Sequence, residues 1–181
     1  RTLEEAYLEA WRCWFHLVHL DQHRRRRVLD VSMVAHEAGA SVVDTSSLGE
    51  AIGKALEQCR ELFGALEAKG PRSYRLAQRL GLQHREPSAL AFLLLHEVGA
   101  TPASDSDAKG TVSQLVVATG MTGKEVLDFF SPSRVHMKDQ LIEVDDELSA
   151  DLSSASIKVQ RESLKALHGG VLSVDEFLKT A

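Results

Sequence analysis

Apolar residues recur at three- and four-residue steps through most of this chain, the period of helices with one buried face. The first run takes Leu3, Tyr7, Ala10, Trp11, Trp14, Leu17 and Val18 and predicts a helix from Thr2 to about Arg26. Thr2 with Glu5 fits a capping box, in which the hydroxyl accepts one orphan N–H and the carboxylate reaches back to another. The acidic start and the Arg24-Arg25-Arg26-Arg27 finish suit the two ends of a helix dipole. A second apolar stretch, Val28 to Val43, offers Val31, Val34, Ala35 and Ala38 as its buried positions. A third helix is expected from Ser47, with Glu50 as box partner, to about Lys69. Its stripe is Ile52, Leu56, Cys59, Phe63 and Leu66, and Gly70-Pro71 stops it. Residues 1–70 therefore read as an N-terminal helical bundle, with Trp11, Trp14 and Phe15 expected in its core and an interface as the alternative.

A second unit is expected over 71–147. Ser73 to Leu80 forms a short helix closed by Gly81. Glu86-Pro87-Ser88 opens another, Ala89 to Val98, apolar nearly all round and therefore central. The breaker-rich stretch Gly99 to Gly110 is a loop. Thr111 opens a helix to Ala118, Thr119-Gly120-Met121 turns the chain, and Thr122, boxed with Glu125, caps Gly123 to Phe130. After Ser131-Pro132-Ser133 the period shortens. Val135, Met137, Leu141, Ile142 and Val144 flank Lys138-Asp139 and predict a β-hairpin. Two short helices, a glycine turn and a hairpin describe a winged helix-turn-helix. Residues 148–181 read as a helical connector, with helices at Ser149 to His168 and Val174 to Thr180 around Gly169-Gly170. The expected fold class is mainly α: a helical bundle followed by a winged-helix domain.

Charge changes what such a unit would bind. The 181 residues carry a net charge of −5, the wrong sign for a domain that grips a phosphate backbone. Thr122 to Phe130, the recognition helix of the expected unit, has Lys124 against Glu125 and Asp128. It has no Arg, Asn or Gln to read base edges. Protein is the expected partner and nucleic acid is not. The longest apolar run, Leu90 to Leu95, falls well short of the about 18 residues of a membrane span. The opening Arg-Thr-Leu-Glu-Glu does not resemble a secretory signal. A cytoplasmic protein without membrane contact is expected. Cys13 and Cys59 lie on different helices outside any zinc spacing, and are expected as buried thiols in a reducing compartment. A start at Arg1 rather than Met is expected of a fragment or a processed chain.

Four patterns invite a chemical reading. Ala118 to Glu125 (ATGMTGKE) approaches a phosphate-binding loop, but Ala118 replaces the first Gly and Glu125 the metal-holding hydroxyl, which leaves a turn and a cap. His16, His19 and His23 share a helical face and could hold a metal, yet the arginine run that follows would repel a divalent ion. Ser32, His36, Glu37, Ser41 and Asp44 supply the residue types of a hydrolytic triad without a nucleophile elbow. Arg24, Arg25, Arg26 and Arg27 form the one dense basic feature, a candidate contact for an acidic partner. The alternative reading is a solvated helix end. No catalytic residue, metal site or cofactor site is expected in this segment.

From Tyr74 onward the chain resembles the region that precedes the ATPase core in bacterial-type, Cdc48-like AAA+ ATPases. The resemblance rests on Arg75 to Leu82 (RLAQRLGL), the apolar Ala89 to Leu95, Val126 to Pro132 (VLDFFSP) with Leu141 to Val144, and the segments Leu148 to Leu152 and Leu172 to Leu178. It covers about 105 residues of spaced apolar patterns, and residues 1–70 match only as helical. The resemblance implies substrate or adaptor binding, or docking, by a non-catalytic front end whose ATPase module would follow Ala181. A winged-helix DNA-binding regulator and a standalone helical scaffold are the rival expectations.

Overall fold

The computed structural model describes residues 2–38, 46–102, 111–144 and 157–160. In this part the chain is mainly helical. The elements are α1 (Leu3–Ala38), α2 (Ser46–Glu67), α3 (Arg72–Arg79), α4 (Glu86–Glu97), α5 (Thr111–Thr119), α6 (Gly123–Phe129), α7 (Val135–Lys138), β1 (Ile142–Val144) and β2 (Ile157–Val159).

Helices α1 and α2 form an antiparallel hairpin whose contacts fall in opposite order along the two. Tyr7 donates its hydroxyl hydrogen bond to Glu67 Oε1 at 3.0 Å. Trp11 stacks on Phe63 with centroids 4.2 Å apart. The Arg60 guanidinium lies 5.3 Å from the Trp14 ring centroid, and the Arg24 guanidinium lies against Gly49. Trp11 and Phe15 are buried as the apolar spacing predicts, with Trp14 partly buried against them. The box at Thr2 also forms: Thr2 N donates to Glu5 Oε2 at 2.8 Å, and Glu5 N to Thr2 Oγ1 at 3.2 Å.

Helix α4 is the axis of the core. Every residue from Ser88 to Leu95 is buried, as its all-round apolar sequence requires. Phe15 of α1 meets Phe92 of α4 edge-on at 5.4 Å. A single cluster of buried side chains runs from Tyr7 through α2 to α6 and on to Val159. Each large aliphatic or aromatic side chain so enclosed contributes about 1.5–3 kcal/mol. Helix α3 starts at Pro71 without a side-chain cap of its own. Glu4, buried on α1, supplies one: Ser73 N donates to its two carboxylate oxygens at 3.3 and 3.2 Å.

Three sequence expectations change. The first helix does not end near Arg26 but continues to Ala38 as one element of 36 residues, about 54 Å long. No Gly or Pro interrupts it, arginine is a good helix former, and Asp21 binds Arg24 and Arg25 one turn on. The arginine run therefore lies inside the helix, not at its last carbonyls.

The hairpin expected across Lys138-Asp139 is also absent. Val135–Lys138 is one helical turn, with Asp139 N donating to Val135 O at 2.8 Å. Its anchor is His136, fully buried, whose Nε2 lies 2.6 Å from the Phe129 carbonyl oxygen. Finally, β1 pairs antiparallel with β2, Ile142 opposite Val159 and Val144 opposite Ile157. Residues 157–159 were expected inside the helix Ser149 to His168. The alternation Ile-Lys-Val suits a strand with one buried face, and Ile142, Ile157 and Val159 are buried. The rest of that expected helix, the last helix Val174 to Thr180 and most of the loop Gly99 to Gly110 lie outside the described residues.

Candidate partner-contact surface

The turn between α5 and α6 is built from short-range hydrogen bonds. Thr119 Oγ1 donates to Leu115 O at 2.7 Å and accepts from Met121 N at 3.3 Å. Gly120 takes φ +68°, a left-handed conformation that a side chain would strain. Thr122 then closes the expected capping box: its N–H donates to Glu125 Oε2 at 2.6 Å, and its Oγ1 accepts from Glu125 N at 3.3 Å. The Thr122 backbone N–H, then the Thr122 side chain, hold the Glu125 carboxyl below its ordinary range, and the nearby Arg85 charge adds to this. The stretch that approached a phosphate loop thus joins two helices and ends in a cap.

The box fixes which way α6 faces. Val126 and Phe129 turn into the core, while Lys124, Leu127 and Asp128 face outward, Leu127 being 58% exposed. Beside this face lies an open cleft of about 260 Å³. His84, Arg85, Glu86, Glu125, Asp128 and Arg134 are among its lining residues. Its cations are matched by carboxylates. Arg134 Nη2 meets Glu86 Oε2 at 2.6 Å, and Arg85 hydrogen-bonds the Gly120 carbonyl and lies 3.6 Å from Glu125. The cleft and α6 together present a mixed-charge surface with one large exposed apolar side chain, Leu127.

The four arginines of the candidate contact separate into two kinds. Arg24 binds Asp21 Oδ1 through Nε at 3.1 Å and Nη2 at 2.8 Å, and its side chain is only 19% exposed. A Cβ on Gly49 would come within 3.0 Å of its guanidinium carbon, so Arg24 is part of the hairpin packing. Arg25 also binds Asp21, at 2.7 Å, but stays 70% exposed, and Arg26 and Arg27 are exposed. Any contact made by this run falls to Arg25, Arg26 and Arg27.

The remaining candidates do not converge. His16 is exposed, while the His19 and His23 rings lie 4.5 Å apart, edge to face. Among the described residues no group of three or more His, Cys, Asp or Glu could hold a metal ion. Ser41, Asp44 and the side chains of Ser32, His36 and Glu37 lie outside the described residues. The cysteines depart from expectation, Cys13 being exposed and Cys59 half-buried. Among the described residues no helix is long and apolar enough to cross a membrane.

Sequence reasoning missed the cleft, because it joins the α3–α4 connection to α6 and to Arg134 across the fold. The only local signals were the exposed polar side chains of Gln83, His84 and Arg85 between two helices. Comparison of the chain with family models, with curated proteins and with solved structures finds no match in any of the three.

Proposed function

We propose that this chain is a non-catalytic, partner-binding region, the front end of an AAA+ ATPase, which recognises a substrate or adaptor protein through the outward face of α6 and the cleft beside it. The observation that carries the reading is the content of that face: Lys124, Leu127 and Asp128, with Leu127 58% exposed. A base-reading helix needs forked donors and a basic surround. An exposed leucine ringed by charges of both signs is compatible with a small apolar contact inside a polar rim.

The unit reads as a winged-helix variant used for protein contact. The tight α5–α6 turn and the antiparallel β1–β2 pair support this, with β1–β2 in the place of the wing. The AAA+ reading rests on the sequence resemblance from Tyr74 onward. The reading frame beyond Ala181 tests it: an in-frame G-x-x-x-x-G-K-[ST] after a strand supports it, and a stop codon overturns it. The α5–α6 arrangement is also what a DNA-binding regulator would use. Salt-dependent binding of duplex DNA by the chain would replace the protein-contact reading with that one. A stop codon without DNA binding would leave a standalone scaffold.

A further inference from the structure

Of the titratable side chains among the described residues, His136 on α7 is the most enclosed, with no exposed surface. Its Nε2 lies 2.6 Å from the Phe129 carbonyl oxygen, and its ring centroid lies 4.5 Å from that of the Phe129 ring. A carbonyl oxygen only accepts, so Nε2 carries a proton and donates it. Nδ1 is then a bare lone pair, buried and without a hydrogen-bond partner. A proton added at Nδ1 would create a donor with nothing to accept from it, and a charge cut off from water.

No free carboxylate stands ready to offset that charge. The charged groups that act on the ring are Arg134, two residues before it, and Glu86 of α4. These are already paired with each other at 2.6 Å, and Glu86 Oε2 also accepts from Gln83 N at 2.8 Å. Asp128 of α6, Lys138 and Asp139 at the end of α7, and Glu143 of β1 are all exposed, where water screens them.

The single turn of α7 depends on this ring. His136 is its buried residue, while Val135 is exposed and Met137 half-buried. Lys138 N and Asp139 N bond back to Arg134 O and Val135 O at 2.9 and 2.8 Å. Just beyond, Gln140 takes φ +53°, a left-handed conformation that a side chain disfavours and that persists only where its surroundings hold it. Arg134 is the N-cap residue of the same turn and lines the cleft, against Glu86.

We propose that His136 is a proton-operated latch: in mild acid the imidazole leaves its seat, α7 unwinds, and Arg134 parts from Glu86, which dismantles one wall of the cleft beside α6. The bearing of the latch on partner binding rests on the function proposed above; the latch itself does not. The seated ring excludes the proton and the released ring takes it. The seated form is therefore favoured above the free-histidine value of about 6.5. It loses ground below that value, by up to about tenfold per pH unit.

Amide hydrogen exchange of the full chain, followed by NMR at neutral pH and at about pH 5 and corrected for the intrinsic rate at each pH, tests this without a partner. Its failure therefore leaves the partner-contact reading standing. The Lys138 and Asp139 amides should exchange faster than the Leu94 amide of α4 at both pH values, through local opening. Their protection should fall about twentyfold between the two. His136→Gln keeps a donor for the Phe129 carbonyl but takes no proton, and should remove most of that fall. His96→Gln should leave it intact. Exchange in α7 no faster than at Leu94 would overturn the proposal, because opening would then be global. A fall that survives in His136→Gln would overturn it equally. Should His136→Gln not fold, the ring protons of the wild-type histidine decide. Titration of His136 and loss of protection at Lys138 share one midpoint if the latch exists, and a ring that titrates while α7 stays protected sinks it.

Discussion

Helices α4 and α6 differ in what constrains them. α4 is buried along its whole middle, Ser88 to Leu95, and each of its side chains answers to a neighbour in this chain. α6 buries Val126 and Phe129 and sends Lys124, Leu127 and Asp128 outward. Packing explains every apolar residue of α4, but it explains Leu127 not at all. Leu127 is one of several exposed large apolar side chains among the described residues, and on the reading proposed above it is α6, with its flanking charges, and not the more apolar α4 that would meet a partner.

The sharpest way to test this difference is to cut into α4. Leu94, fully buried, changed to Ala should destabilise the chain by about 2–5 kcal/mol through lost burial and a residual cavity. The urea midpoint should fall with an unchanged slope. Glu4→Ala removes the buried acceptor at the start of α3 and should cost about 1–2 kcal/mol, with faster hydrogen exchange at the Ser73 amide. Thr122→Ala opens the capping box of α6 and should cost about 1 kcal/mol, read from thermal melts. The smallest effect belongs to Leu127→Ala, which should change stability by about 0.5 kcal/mol or less. The same substitution should weaken partner binding, and equal effects on stability and binding would return Leu127 to the core.

A pH series adds a further test on the α6 side. Burial first holds His136 below the ordinary histidine range, and Arg134 adds to this. The Phe129 carbonyl and Glu86 pull the other way. His96 is lowered by its own burial, against Glu97. Both groups bind protons more readily unfolded than folded. Stability from this source is therefore full above the unfolded value of about 6.5 and declines as pH falls below it. Urea midpoints measured at neutral and mildly acidic pH should show the decline, and His136→Gln should flatten it.

Most of the helical frame was legible in the sequence because its signals are local. The all-round apolar run of α4, the stop at Gly70-Pro71 and the boxes at Thr2 and Thr122 each depend on residues within a few positions. What was hidden depends on distant partners. The strand Ile157–Val159 is too short to show a period, and its place is set by pairing with Ile142–Val144. The turn Val135–Lys138 alternates like a strand, yet the buried His136 bond to the Phe129 carbonyl makes it helical. The arginine run looked like a helix end until Asp21 and Gly49 accounted for Arg24. The candidate contact surface was half legible: the weak nucleic-acid chemistry of Thr122 to Phe130 could be read directly, but the cleft beside it required the fold.

The Glu4 carboxylate that caps α3 lies 69 positions before the amide it serves. During synthesis the acceptor has left the ribosome long before Ser73 appears, so α3 can be capped as soon as it emerges, provided that α1 is already in place. Refolding of the whole chain from denaturant has no such order. There the cap waits on closure of a long loop, and α3 is expected to gain its protection late.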